Sequence, residues 1–196
     1  MRGLLHTVKD VLNIPDWYSA VNCITANNRP YLNTWIKLSS TDRVIAEFAN
    51  LSSTWYGALY GTYATWESSA FYANQTYYWY DAVNNKINTW IVVNTDWHIV
   101  DHDFVNWTLT LDGNITTFTP FTFTNSQYNY LFARYYGGSY GYLFRWSCKY
   151  YKVYRSWEII VYLVPVKRNS DSVLGMYDLI WDQFLTNIGS WSFTEW

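Results

Sequence analysis

The sequence predicts an all-β protein, two antiparallel sheets packed face to face in a sandwich, on three observations. Aromatic residues make up 22% of the 196-residue chain and charged residues only 14%, far from a disordered profile and enough for one sizeable core. Tyr, Trp, Phe, Thr, Val and Ile dominate, residues that suit a pleated, half-buried surface, and helix formers are sparse beyond the first turns. From Tyr31 onward, short segments alternate apolar and polar residues with a period of two, as strands with one buried face do.

The elements follow in order. Residues 1–13 stand apart, because Leu4, Leu5, Val8, Val11 and Leu12 fall along one side of a short helix that Pro15 ends. This segment is expected either to pack on its own domain or to serve attachment or oligomerisation, and residues 14–196 form the domain proper. The first clear strand sets Val44, Ala46 and Phe48 on one face and Arg43, Ile45 and Glu47 on the other. Further strands are expected over 56–63, 70–80, 86–93, 97–105 and 107–112. Then come 118–123, 128–136, 140–154 and 159–164, with Asp112-Gly113 as a hairpin turn.

Charge and motif content exclude several functions. A formal net charge of -2, with Lys167-Arg168 the one adjacent basic pair, gives no attraction to phosphate, so nucleic acid is not an expected partner. No run reaches the apolar length that spans a bilayer, and the N-terminus lacks a signal-peptide core, so synthesis in a cytoplasm is expected. Cys23 and Cys148 are expected to remain thiols. Glu47, Glu67, Glu158 and Glu195 are isolated in the sequence, whereas glycoside hydrolysis requires two cooperating carboxyls. His6, His98 and His102 have no zinc-site spacing, and no nucleophile elbow is present. An enzyme is not expected.

The last third carries a family resemblance. Leu163-Val164-Pro165-Val166-Lys167-Arg168 runs on through Asn169-Ser170-Asp171 and Leu174-Gly175-Met176-Tyr177-Asp178 to Thr186-Asn187. Upstream lie Trp97-His98-Ile99-Val100 and Leu109-Thr110-Leu111-Asp112-Gly113, and near the front Ile14-Pro15-Asp16 and Tyr31-Leu32-Asn33-Thr34. Together these resemble concanavalin A-like, laminin-G-like jelly-roll domains of tail, fibre and surface-appendage proteins of gut bacteriophages. The resemblance implies a virion structural or adhesion protein, at the virion surface, that displays a carbohydrate- or receptor-binding surface. Expected partners are a host glycan or receptor, other virion proteins, and further copies of itself, a trimer by analogy. The alternatives are an architectural capsid or tail decoration protein without ligand, and a glycan-processing enzyme of the same fold. Trp97 matches the family's core tryptophan and, alternating with Ile99, is expected between the sheets. Lys167 to Asp178 is expected to be a loop and short strand after a break at Pro165.

Two candidate sites remain. Asp101-His102-Asp103 places both carboxylates on one face of a strand. Calcium, which many laminin-G-like domains use, is the one cofactor the resemblance admits there; a solvated strand face is the alternative. Tyr135, Tyr136, Tyr140 and Tyr142 flank Gly137-Gly138 and supply flat amphipathic rings, either for glycan contact or as cover for a sheet.

Tryptophan is misplaced in this chain. Thirteen Trp against nine Gly reverses the ratio that tight β-turns require. Many Trp follow Asp, Asn, Ser or Thr, where a turn normally continues with Gly. The resemblance agrees, since Trp17, Trp35, Trp107, Trp157, Trp191 and Trp196 stand where those domains usually carry Gly. Either a reassigned codon such as UGA has been read as Trp where the organism inserts Gly, or a real aromatic set decorates the loops.

Overall fold

The structure, a computed structural model, describes residues 12–27, 30–51, 57–64, 67–73, 77–82, 85–120, 122–136, 139–141 and 145–195. The first strands are short: β1 (Tyr18–Ala20), β2 (Ile24–Ala26) and β3 (Leu32–Asn33). They are followed by β4 (Asp42–Asn50), β5 (Gly57–Ala64), β6 (Glu67–Ala73), β7 (Tyr77–Ala82) and β8 (Asn85–Val92). A meander of β9 (Trp97–Asp103), β10 (Thr108–Leu111) and β11 (Asn114–Thr117) comes next, then β12 (Tyr130–Leu131), β13 (Arg134–Tyr136) and β14 (Ser139–Gly141). The long pair β15 (Trp146–Arg155) and β16 (Glu158–Arg168) leads to β17 (Leu174–Asp178), β18 (Gln183–Thr186) and β19 (Thr194–Glu195).

These strands form two sheets. An eleven-stranded sheet runs β11-β10-β9-β4-β15-β16-β17-β18, with β1 on β16 and β2 bridging β15 and β19. An eight-stranded sheet runs β14-β13-β5-β6-β7-β8, with β12 joining β3 to β5. Between the sheets, the inward residues of β4 (Val44, Ala46, Phe48) meet Tyr60, Phe71 and Tyr78 from the opposite sheet in one apolar cluster. Phe48 is the hinge of that packing: its ring lies 5.4 Å from Phe71, 5.7 Å from Tyr78 and 5.2 Å from Trp146, each edge-on. Edge-on pairs of this kind add about 0.5–1.5 kcal/mol beyond the area they bury.

The structure corrects several expectations. Trp97 is not between the sheets. Pairing with β4 sets Phe48 opposite His98, Ala46 opposite Val100 and Val44 opposite His102, so the histidine face turns inward and Trp97 and Ile99 turn outward. The described residues of the 118–123 segment belong to no strand, an isolated bridge from Ser39 to Thr124 follows just after it, and Pro120 in its middle has no N–H to offer. The 128–136 strand is interrupted at Phe132, whose φ of 67° leaves the extended region. Pro165 breaks nothing. It falls between the end of β16's pairing with β15, at Leu163, and the start of its pairing with β1, at Val166, and its carbonyl accepts Val21 N–H at 3.2 Å.

Residues 1–11 of the expected N-terminal helix lie outside the described residues. Leu12 and Ile14 rest on a second apolar cluster with Tyr18, Val164, Val166 and Tyr177. Cys23 and Cys148 are both buried and unbridged.

Asp42, fully buried at the start of β4, ties three segments together. Its carboxylate takes Arg155 Nε at 2.7 Å and an Arg155 terminal nitrogen at 2.8 Å, and accepts Ser39 N–H at 2.9 Å. The same guanidinium nitrogen donates to the Lys37 carbonyl at 2.9 Å. Arg155→Ala is therefore expected to cost about 3 kcal/mol in chemical denaturation, because it strands a buried carboxylate. Phe48→Ala should cost about 3–5 kcal/mol, but Trp97→Ala on the outer face only about 1 kcal/mol; equal losses would contradict the orientation of β9.

Candidate binding surface

The outer face of the eleven-stranded sheet is built by the residues that alternate with the core. β4 contributes Arg43, Ile45 and Glu47, and β15 sets Tyr154, Lys152 and Tyr150 opposite them in that order. β9 adds Asp103, Asp101 and Ile99 on the other flank of β4, and β16 places Tyr162 opposite Lys152. Strand spacing is about 4.8 Å, so these side chains form one continuous field.

Its charges neutralise one another. Arg43 grips Asp101 through Nε at 2.7 Å and a terminal nitrogen at 2.5 Å, and this hydrogen bond raises the guanidinium pKa further. Lys149 pairs with Glu47 while its ammonium lies 4.0 Å from the centre of the Trp97 ring. Lys152 sits between two phenols, 4.2 Å from the Tyr162 ring centre and 5.0 Å from that of Tyr150. Burial raises the pKa of both tyrosines, so they stay neutral hydroxyl donors at physiological pH. A groove of about 170 Å³ opens among Arg43, Ile45, Asp103, Val105, Tyr154 and Trp157. Enclosed small-molecule pockets usually run about 300–1,000 Å³, so this groove suits a projecting ring or side chain of a larger ligand.

The sequence-predicted sites fare differently. Asp101 and Asp103 do share the outer face, yet they do not fit calcium. A guanidinium occupies the first, and the second accepts Val105 N–H and Asn106 N–H at 2.9 Å each and Asn106 Nδ2 at 2.7 Å. Among the described residues no three His, Cys, Asp or Glu side chains come together as metal ligands. Tyr142 lies outside the described residues, and Tyr135, Tyr136 and Tyr140 are described only in their backbone. There the β13–β14 hairpin closes the edge of the eight-stranded sheet with Tyr135 opposite Tyr140. Lys167 and Arg168 end β16 at the rim and pair with Glu195 at 3.9 Å and Asp171 at 2.6 Å. The sequence reading missed Tyr150, Lys152, Tyr154 and Tyr162 as a set. Alternation along β15 hinted at it, but the register shift between Val153 and Tyr154, which sets Tyr162 opposite Lys152, is not signalled by that alternation.

His98 and His102 are core residues. His98 is hydrogen-bonded to Asp112 and, at 2.6 Å, to Asn94, which ties β9 to the β10–β11 turn. His102 shares a 3.0 Å hydrogen bond with the Tyr60 hydroxyl across the sandwich.

Comparison with known proteins adds the fold and no more. No family model matches the chain and no curated protein matches it. Among solved structures it is similar to domains LG4-5 of the mouse laminin alpha1 chain, with a TM-score of 0.51 and 11% identity over 85% of this chain. It spans about half of that chain, 50% of its length. The protein is thus an all-β jelly-roll sandwich of the concanavalin A-like, laminin-G-like kind.

Burial holds the His102 imidazole well below the ordinary value of 6.5, so the folded protein keeps it neutral while the unfolded chain gains a proton as pH falls. Its contribution to stability is complete above pH 6.5 and is lost below it, at about 1.4 kcal/mol per pH unit. Denaturation midpoints measured from pH 7.5 to 5 should fall in this way, and His102→Gln should flatten the slope by one proton.

Proposed function

We propose that the chain is a non-enzymatic virion structural or adhesion protein of a bacteriophage, whose outer β-face binds a host-surface carbohydrate or receptor. The observation that carries this reading is the open field of Tyr150, Tyr154 and Tyr162 around Lys152, with neighbouring carboxylates already paired to Arg43 and Lys149. Such a surface offers CH–π stacking and neutral hydroxyl donors while holding little net charge, which suits an uncharged polyhydroxylated ligand. The same pairing supports a non-enzymatic reading. Glu47 is engaged by Lys149 and Asp101 by Arg43, so neither is poised as a general acid or nucleophile. The phage context rests on the resemblance of the segment from Leu163 to Asn187, and attachment to the particle is assigned to residues 1–13.

The test is a glycan array and a binding assay on host envelope polysaccharide. Tyr154→Ala with Tyr162→Ala should weaken binding at least tenfold, about 1.4 kcal/mol, while the fold persists. Tyr135→Ala with Tyr140→Ala examines the rival hairpin site. Loss only in that second variant moves the site to the eight-stranded sheet. No binding by protein that is stoichiometric in purified virions makes this an architectural decoration protein, and product release from the polysaccharide makes it an enzyme.

A further inference from the structure

Four tryptophans occupy backbone that belongs to glycine. Trp35, Trp90, Trp107 and Trp157 have φ values of 57°, 60°, 56° and 73°, centred on the left-handed helical region. A bulky side chain there is a genuine outlier, since its Cβ crowds the neighbouring carbonyl. Of the ten non-glycine residues with positive φ among those described, five are Asn, Asp or Ser, types whose short polar side chains ease the conformation; four of the other five are Trp.

Two comparisons inside the molecule show what these positions require. The β10–β11 hairpin turns on Asp112-Gly113 at φ 50° and 82°, and the β15–β16 hairpin turns on Ser156-Trp157 at 50° and 73°. Both are two-residue turns with left-handed φ at both positions, the geometry that strongly prefers Gly second, and one has Gly where the other has Trp. The sequence Asn-Thr-Trp-Ile occurs twice, at 33–36 just after β3 and at 88–91 within β8, and makes the same local hydrogen bonds in both places. In each copy the Asn side chain accepts the Trp N–H at 2.8 Å, and the Thr hydroxyl accepts the Ile N–H, at 3.5 Å in one and 3.2 Å in the other. These backbones are held by Asn and Thr, while each indole makes one edge-on ring contact, Trp35 with Tyr128 at 5.3 Å and Trp90 with Tyr77 at 5.8 Å.

Three of the four indoles are largely exposed, and the Trp107 indole is half-buried with its ring 5.6 Å from that of Phe118. Trp35, Trp90 and Trp157 are 56%, 73% and 70% exposed. Trp146 and Trp97 are different, with no positive φ. Trp146 is fully buried against Phe48, and Trp97 is seated under Lys149. Trp146 and Trp97 thus pack from within strands, whereas these four stand at left-handed φ; Trp17, Trp181 and Trp191, also largely exposed, have no positive φ. An excess of Trp matched by a shortage of Gly, thirteen against nine, is what a codon with two readings produces.

We propose that the natural polypeptide carries glycine at positions 35, 90, 107 and 157, inserted at a recoded codon, and that the protein is made in cells holding a glycyl-tRNA that decodes it. The binding surface then relies on its tyrosines and Lys152, because the groove beside Tyr154 loses the Trp157 indole. This inference stands whether or not the surface binds a glycan.

The gene gives the first readout. One codon should specify positions 35, 90, 107 and 157 and a different one Trp97 and Trp146; a single codon at all six overturns the proposal. Peptide mass mapping of protein from its natural source should find each of the four positions lighter by the difference between tryptophan and glycine, with positions 97 and 146 unchanged. An indole at the four positions overturns it equally. In recombinant protein, Trp35→Gly, Trp90→Gly, Trp107→Gly and Trp157→Gly combined should raise the thermal midpoint, with Trp146→Gly lowering it as the control. A lowered midpoint in the combined variant would mean that the four side chains are needed and the proposal fails.

Discussion

Phe48 and the register around it fix most of what this molecule is. The ring projects from the central strand of the larger sheet into Phe71 and Tyr78 of the smaller, so one side chain clamps the two layers. Because strand side chains alternate with a period of two, fixing Phe48 inward fixes Val44 and Ala46 inward, and Arg43, Ile45 and Glu47 outward. The cross-strand partners inherit that choice. His98, Val100 and His102 follow inward on β9, and Asp101 and Asp103 follow outward. A slip of one residue would exchange the core for the outer surface, so core stability and surface composition are one constraint.

That coupling explains the character of the outer face. A face of β-strands exposed to water needs polar residues, yet unpaired charges of one sign would repel across strands. Here Arg43 meets Asp101 and Lys149 meets Glu47, while Lys152 is accommodated by phenol rings. What remains accessible is aromatic and hydroxyl-bearing with little net field. Affinity for a ligand at such a surface comes from ring stacking and directional hydrogen bonds, and it should depend weakly on salt.

The turns show a different logic. Hairpin closure dictates left-handed φ at Ser156-Trp157, as it does at Asp112-Gly113, whatever side chain stands there. Where the sequence offers Asp, Asn, Ser or Gly, the demand is met cheaply. Where it reads Trp, each position costs about 1–2 kcal/mol, a large fraction of the 5–15 kcal/mol by which domains are typically stable. The strain is concentrated in one residue type, which is why it points to decoding rather than to a functional device.

By itself the sequence determined the all-β class, the inward and outward faces of β4, the Asp112-Gly113 turn and the alternation of Asp101, His102 and Asp103, since each depends on local chemistry with a period of two or on a two-residue turn. It also exposed the tryptophan anomaly, because turn chemistry is local. Tertiary structure alone decided that Trp97 faces outward, since the choice between the two faces of β9 depends on which residues of β4 lie opposite. It decided too that Pro165 sits inside a strand, at a gap between two neighbours distant in sequence, and that Arg43 takes Asp101 from any cation. The Tyr150, Lys152, Tyr154 and Tyr162 field was hidden for a related reason: alternation puts the three β15 residues on one face, but which face meets the opposite sheet is a tertiary matter, and the shift between Val153 and Tyr154 in the β15–β16 hairpin is what sets Tyr162 opposite Lys152.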